Sequence, residues 1–285
     1  MSIYYKNDNV ELYCADSFED VLGLDYTFDC CISNYDKNIF NVSDKLRQNG
    51  KCIVFSQEPF TSKLRQRKHS SLYFSYAMVW IKNYYTGAVN SKQAPVSCFE
   101  DISVFQKKYD YSQTKMRNYS KKIYDYIGKT RKEIYEMLGD TKADHFFRYA
   151  SLQFQLPTKE TYDRLVNIFH IDKMQDFIDF NDLEREQSVF NLSENNIKSN
   201  VLIFDKDKDY YCPSQKPVAL MEDLIKTYTN GGDVILDISA GAGTVGIACM
   251  NTNRKCVLIE QSEEVCEIIK QRCEKNLELK PTYLF

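Results

Sequence analysis

Residues Asp233 to Met250 read DVILDISAGAGTVGIACM, and this stretch decides the fold. Val234, Ile235 and Leu236 form a short apolar run, the length of a buried strand. Asp237 ends it. Small residues from Ser239 to Gly243 then make a turn, and from about Thr244 the pattern is helical. Next, KCVLIE (Lys255 to Glu260) is a second short apolar run ending in an acid, followed by the charged helix SEEVCEIIKQRCEK. Strand, small-residue turn, helix and strand make a βαβ unit, which implies a parallel sheet. Before it, KPVALMEDLIKTYTNGGD reads as an amphipathic helix, with Leu220, Leu224 and Ile225 on one face and Gly231-Gly232 as the stop.

Working outward, the N-terminal part supplies more strands: VELYCAD (Val10 to Asp16), FDCCIS (Phe28 to Ser33) and GKCIVFSQ (Gly50 to Gln57). YAMVWIK and DISVFQKK add two further candidates. The middle differs. From about Asn118 to Phe180 the pattern is helical and charged, with Gly128 and Gly139 as joints and Thr158 placed to cap a helix through TKETYDRL. The stretch DFNDLEREQSVFNLSENNIKSN is polar and reads as a loop or hinge. The expected organisation is an α/β domain in two parts, residues 1–117 and 196–285, around a helical insertion at 118–195. Such short helices resemble a small DNA-reading module.

At 285 residues the chain has room for one domain with an insertion, or two. Its 43% hydrophobic and 27% charged content places it among ordinary globular proteins, without an apolar run that could span a bilayer. No secretory leader opens it, so a cytoplasmic location is expected. Ten cysteines include no C-x-x-C pair and no zinc spacing. Cys30, Cys31, Cys52, Cys249 and Cys256 lie in apolar runs, where a reduced thiol acts as a small hydrophobe; no metal is expected.

The formal charge of -3 hides an asymmetry: Thr61 to Lys132 carry 15 Lys or Arg against 4 Asp or Glu. Two readings stand, a polyanion held on one face or a solvated surface of mixed charge. The tyrosines among the basic residues (Tyr73, Tyr84, Tyr85, Tyr119, Tyr124) favour nucleic acid.

Asp237 at a strand end, Gly241-x-Gly243 entering a helix, and Glu260 at the end of the next strand suit a nucleoside ligand. Glycines let the backbone approach it, and the acid accepts bonds from ribose hydroxyls. A tight turn without a ligand explains the bare G-x-G nearly as well. Gly246 stands at the third glycine of a dinucleotide fingerprint, G-x-G-x-x-G, where alanine would fit as well, so spacing alone does not separate NAD from other nucleoside ligands. S-adenosylmethionine, which has no pyrophosphate, is the expected ligand.

At this point CPSQKPVALMEDLIKTYTNGGDVILDISAGAGTVGIACMNTNRKCVLIE resembles the C-terminal signature of the DNA amino-methyltransferases, which modify adenine N6 or cytosine N4. That family reads roughly H-P-T-Q-K-P, a helix, D-P-F-x-G-S-G-T-T-G, then an acid ending a strand. IYYKNDNVELYCADSFEDVL, FSQEPFTSKL and MVWIKNYYTGAVNSKQAP…EDISVF resemble its N-terminal blocks, so the likeness spans both ends in the family's β order. Such proteins are frequent in phages and prophages. The resemblance implies an S-adenosylmethionine-dependent methyltransferase-like (Rossmann-like) fold with an inserted DNA-recognition region. It also implies that Asp237, Gly241, Gly243 and Thr244 form the cofactor loop and Glu260 holds the ribose. Gln215, Lys216 and Pro217 would border the methionine end, and Asp16 would lie near the adenine. Departures are Ile238-Ser239 for Pro-Phe, Ala242 for Ser, Val245 for Thr and Cys212 for His.

FDCCISNYDK occupies the place of the family's catalytic strand, which ends in (Asp, Asn or Ser)-Pro-Pro-Tyr. Asn34 is an allowed first residue, whereas Tyr35, Asp36 and Lys37 replace Pro-Pro-Tyr. An exocyclic amine is a poor nucleophile because its lone pair is delocalised into the ring. The family's tip supplies two acceptors for the amino hydrogens, a rigid backbone and an aromatic that stacks on the flipped base. Here one acceptor survives in Asn34. The expectation is impaired or absent methyl transfer in a DNA-binding homologue. An active adenine-N6 or cytosine-N4 enzyme and a protein-binding decoy are the alternatives. Double-stranded DNA is the expected partner, with a protein partner or a second copy open. Lys63, Arg65, Arg67 and Lys68, on a loop after a strand, and Lys121, Lys122, Arg131 and Lys132 are candidate phosphate contacts, with a solvated face as the other reading. His145 and Arg148, with Gln153 and Gln155, could reach base edges or phosphates, or His145 could be a core or cap residue.

Overall fold

The computed structural model describes residues 2–15, 23, 26–34, 39–86, 91–93, 95–108, 115–151, 153–185, 189–192 and 197–278. The chain divides into two compact units: Met1–Lys108 with Val189–Phe285, and Tyr109–Ser188. The first begins with β1 (Tyr5–Lys6), β2 (Val10–Cys14), β3 (Phe28–Asn34), a 3-10 segment (Ile39–Asp44), β4 (Leu46–Ser56), α1 (Phe60–Gln66), β5 (Leu72–Thr86) and β6 (Ser97–Lys107). The second holds α2 (Lys115–Ile127), α3 (Arg131–Leu138), α4 (Asp144–Phe147), α5 (Lys159–Phe169) and α6 (Phe180–Arg185). The chain then returns to the first with β7 (Val201–Ile203), α7 (Val218–Tyr228), β8 (Val234–Asp237), α8 (Thr244–Asn251), β9 (Lys255–Glu260) and α9 (Glu263–Glu278).

Among the described residues the strands form one sheet in the order β1-β2-β9-β8-β3-β4-β6-β5-β7. From β2 to β4 neighbouring strands are parallel; β6 is antiparallel to β4 and β5, and β7 returns parallel to β5. After β8 the chain crosses through α8 to β9 on one side. After β3 it passes to β4 on the other. The carboxyl ends of β8 and β3 therefore border a crevice, the position where open α/β sheets bind ligands. The β3–β8 register sets Cys31 opposite Leu236, which brings Asn34 and Asp237 out at the same edge.

Both sheet faces are covered, so these strands are apolar nearly throughout rather than alternating. Cys30 and Ile32 enter the core shared with Leu224, Ile225, Ala248 and Ile269, whereas Phe28 and Cys31 enter the core shared with Ile39, Phe40 and Leu64. Helix α8 is buried from Thr244 to Met250, which explains its run of small and apolar residues without a polar face. A Cβ at Gly246 would meet Leu258 Cδ1 at 2.9 Å. Alanine there fits only if that terminal methyl shifts. Cys30, Cys31, Cys52, Cys249 and Cys256 are all buried and free. Among the described residues no group of three or more His, Cys, Asp or Glu is placed to hold a metal, and no helix is long and apolar enough to cross a membrane.

The second unit has its own core of Ile123, Ile134, Leu138, Phe146, Phe147, Tyr162 and Leu165. Thr130 and Glu133 form a reciprocal capping box at the start of α3, an arrangement worth about 1 kcal/mol. Gly139 closes α3 at φ 75°, and Thr158 caps α5 by accepting from Thr161 N. Two expectations are corrected. DFNDLER is not loop throughout: Phe180–Arg185 is helical, because Phe180 and Leu183 bury into this core despite their charged neighbours. Tyr119 is no exposed stacking platform, for it is buried with its hydroxyl 2.7 Å from that of Tyr162. The helical unit also starts and ends earlier than the 118–195 expected. Val189 and Asn191 belong with the first unit, where Asn191 N donates to Thr227 O at 2.7 Å.

Candidate active site

The crevice at the ends of β3 and β8, about 340 Å³ with its open mouth, is lined by Ser33, Asn34, Phe55, Ser214, Gln215, Lys216, Asp237, Ser239, Gly241 and Thr244. Asn34, Gln215, Lys216, Asp237, Gly241 and Thr244 all come from the sequence-based expectation, drawn from far-apart segments. Glu260 stands beside them, bonded to Gly241. Gly243 and Pro217 stand just before α8 and α7. Asp16 and the positions Tyr35, Asp36 and Lys37 lie outside the described residues.

Asp237 is the hub. Its Oδ1 accepts from Ser33 Oγ at 2.9 Å and from Ser239 N at 3.0 Å, and the two serine hydroxyls are 2.9 Å apart. Burial pushes the carboxyl up to about 7, and the nearby Glu260 charge adds to this. The Ser239 N–H, the Ser33 hydroxyl and the Lys216 ammonium act in the opposite sense. Ser33 thus ties the last turn of β3, next to Asn34, to the acid of β8.

Glu260 braces the glycine turn: Oε2 accepts from Gly241 N at 2.9 Å and Oε1 from Ser262 N at 3.1 Å. Each oxygen keeps a lone pair for an incoming hydroxyl. Gly243 sits at φ 70°, and a Cβ on it would lie 2.7 Å from Ile269 Cγ2. Only glycine meets both demands.

Gln215 lines the cleft, and Pro217 stands at the start of α7. The Gln215 amide is spent within its own loop, accepting from Tyr211 N at 2.9 Å and donating to Asp209 O at 2.9 Å. Pro217 precedes α7 in extended conformation, where Val218 N is met by Asp207. Lys216 points the other way. Its Nζ lies 3.0 Å from Glu100 Oε1 and 3.0 Å from Ser214 O, over the Phe55 ring.

Comparison with known proteins places these features in a lineage. The DNA methylase model of the N6/N4 methyltransferases matches residues 19–271. The chain belongs to the N6/N4 DNA methylase family. Curated relatives include the type II methyltransferases M.HpaI of Haemophilus parainfluenzae, 39% identical over 64 residues, and M2.MboI of Moraxella bovis, 42% identical over 60 residues. These matches cover 22% and 21% of this chain and 20% and 22% of those proteins, so they span about a fifth of the relatives' length. Among solved structures, the M1.HpyAVI–SAM complex superposes with a TM-score of 0.57 at 20% identity, over 93% of this chain and 99% of that one. The cytosine-N4-specific PvuII DNA methyltransferase gives 0.54 at 12% identity, over 97% and 93%. At such identities the structural likeness concerns the fold.

In this member of the N6/N4 methylase family the expected DNA contacts divide by what they touch. Lys63, Arg65, Arg67 and Lys68 do not lie on one loop. Lys63 and Arg65 are on α1, where Phe60, Thr61 and Leu64 set a helical spacing. Arg65 is engaged inside the fold with Asp101 at 3.0 Å and Ser103 Oγ at 2.9 Å, and Arg67 lies over the Phe40 ring. Lys63 and Lys68 are exposed. On the helical unit, Arg131 donates to Phe147 O at 2.6 Å, whereas Lys121, Lys122 and Lys132 project outward beside Asp125, Asp176 and Glu136. His145 is exposed with Nδ1 2.9 Å from Gln153 O; Arg148 pairs with Asp144 and reaches Gln153, and Gln155 N donates to His145 O. The structure thus gathers His145, Arg148, Gln153 and Gln155 at one surface spot. Tyr73 and Tyr85 are exposed, while Tyr84 and Tyr124 are half-buried.

Sequence reasoning missed Ser33, Ser239, Phe55, Lys82 and Glu100. Ser239 carried a signal, standing where the family pattern has Phe. Lys82 carried a subtler one, since it continues the buried alternation of Met78 and Trp80 on β5.

Proposed function

We propose that the chain binds S-adenosylmethionine and double-stranded DNA, and that its methyl transfer is impaired at residues 34–37. The cleft residues suit the cofactor. The backbone at Gly241 leaves room for close approach, because an added Cβ would meet only Ser214 Oγ and Cys212 Sγ, at 3.8 and 3.9 Å. Glu260 offers acceptors to ribose hydroxyls, Asp237 a carboxyl to an ammonium group, and Lys216 a cation to a carboxylate. When bound, the cofactor supplies an electrophilic methyl on a sulfonium.

Asn34 ends β3 at the cleft, held in place through Ser33, and its amide oxygen can draw one hydrogen of a target amine. The observation that carries the reading is this prepared cofactor wall beside a tip whose next residues are Tyr35-Asp36-Lys37. Such a sequence lacks the prolines that would rigidify a second acceptor and the aromatic in the stacking position. The helical unit, with outward Lys121 and Lys132 and the His145–Arg148 cluster, is the proposed DNA-recognition region.

A second reading, an active adenine-N6 or cytosine-N4 enzyme, is favoured by one observation: Asn34 itself lines the cleft. One experiment separates them. Transfer of labelled methyl from S-adenosylmethionine to mixed-sequence duplex DNA is measured for the natural chain and for the variant Asn34→Asp, Tyr35→Pro, Asp36→Pro, Lys37→Tyr. The expected outcome is label with the variant and at least ~100-fold less with the natural chain, the scale on which a lost transition-state hydrogen bond acts. Equal label from both would establish the active reading.

A further inference from the structure

The cleft wall holds more positive charge than its sequence motif accounts for. Glu100 on β6 receives two lysines, with Lys216 Nζ 3.0 Å from Oε1 and Lys82 Nζ 3.2 Å from Oε2. The side chains of Lys82, Glu100 and Lys216 are only 4%, 11% and 9% exposed, so water screens them little. Two ammonium groups on one carboxylate leave a surplus charge of one. Aromatic faces offset part of its cost: Trp80 and Tyr84 lie 5.2 and 5.7 Å from Lys82 Nζ, and Phe55 lies 5.1 Å from Lys216 Nζ. Such faces soften a buried cation without neutralising it. Asp237 is the other carboxylate that Lys216 faces, but its Oδ1 is already held by Ser33 and Ser239.

An ammonium has three N–H donors. Those of Lys216 meet Glu100 and Ser214 O, which among the described residues leaves one, on a residue that lines the cleft. A buried surplus cation with a donor to spare calls for an anionic oxygen. The cofactor's methionine end carries a carboxylate of that kind. A DNA phosphate has similar oxygens, but the backbone of a duplex runs along a protein surface and this trio is nine-tenths buried. We propose that Glu100 and Lys82 are positioning residues that hold the Lys216 ammonium, with one charge in excess, as the anchor for the cofactor carboxylate. The inference rests on the cofactor reading given above.

Binding calorimetry with S-adenosylmethionine and with its decarboxylated form tests it, since the two ligands differ only in that group. Lys82→Met and Glu100→Gln are each expected to weaken S-adenosylmethionine about 30-fold, the low end for breaking a buried charge pair, and the decarboxylated form by less than about threefold. Lys216→Arg retains a cation and is expected to keep part of the preference. The double variant Lys82→Met, Glu100→Gln keeps the excess of one charge but releases Lys216 from its carboxylate; it stands in if Glu100→Gln alone does not fold, with the same selective loss expected. Equal losses for both ligands, or none for either, would overturn the anchor while leaving the cofactor reading intact. So would variants that keep the preference between ligands but lose duplex DNA, which would assign the charge to a phosphate. A natural chain that binds neither ligand would overturn the cofactor reading itself.

Discussion

The two walls of the cleft are built on different principles. On the β8–β9 side, shape is fixed by backbone: Glu260 pins Gly241, and Gly243 fits against Ile269 in a conformation other residues resist. On the β3 side the strand ladder places Asn34 opposite Phe55, Ser33 adds a side-chain tie to Asp237, and what the tip can do depends on side chains. The first wall tolerates changed neighbours, as Ala242 in the turn and Val245 in the first turn of α8 show by departing from the family pattern. The second owes its chemistry to a few consecutive side chains, and there the proposed loss of transfer would need no change of fold. A methylase scaffold can therefore keep its cofactor wall while its catalytic tip diverges.

The largest effect that would break this contrast is at the glycine turn. Gly243→Val adds atoms where Ile269 stands and forces a β-branched residue to positive φ, so a loss of about 3 kcal/mol of stability is expected in chemical denaturation. A loss under about 1 kcal/mol would mean that the wall yields more than its geometry implies. Next is Ser33→Ala, which strips one donor from a buried carboxylate and frees the β3 end. About 1–2 kcal/mol is expected, with the Asp237 carboxyl driven further up. The smallest effect is one of pH. Asp237 has a folded pKa raised to about 7, above its unfolded value. The native state thus holds a proton that the unfolded chain has released, and stability contributed by the neutral form is lost as pH rises through that range. Between pH 6 and pH 8 the natural chain should lose about 1 kcal/mol relative to Asp237→Asn, measured as the difference in unfolding midpoints.

What the sequence made legible follows from how local each signal is. The βαβ unit was readable because Val234 to Leu236, the small-residue turn and Lys255 to Glu260 are consecutive and each carries its own composition. Asp237, Gly241 and Glu260 came with it. Tertiary partners had no such trace. Glu100 meets Lys216 only because the β4–β6–β5 order and the loop before α7 bring three distant segments to one place. Gln215 looked like a ligand-facing residue by motif, yet its amide closes its own loop. Helix Phe180–Arg185 was hidden because two apolar residues in a charged stretch are too few to set a period. Tyr119 was misjudged for the converse reason: tyrosines among lysines suggest a nucleic-acid surface, but this one points into a core.

Helix α8 has a consequence for the order of events in time. It is buried on all sides, between strands that pair with one another and beneath α7 and α9. A segment so enclosed opens only when the whole unit opens, so its amides belong to the slowest to exchange. The glycine turn is rooted at the first residue of that helix. The cofactor wall is therefore mounted on an enclosed core segment of the first unit, and is expected to keep its shape through lesser fluctuations of the sheet edges.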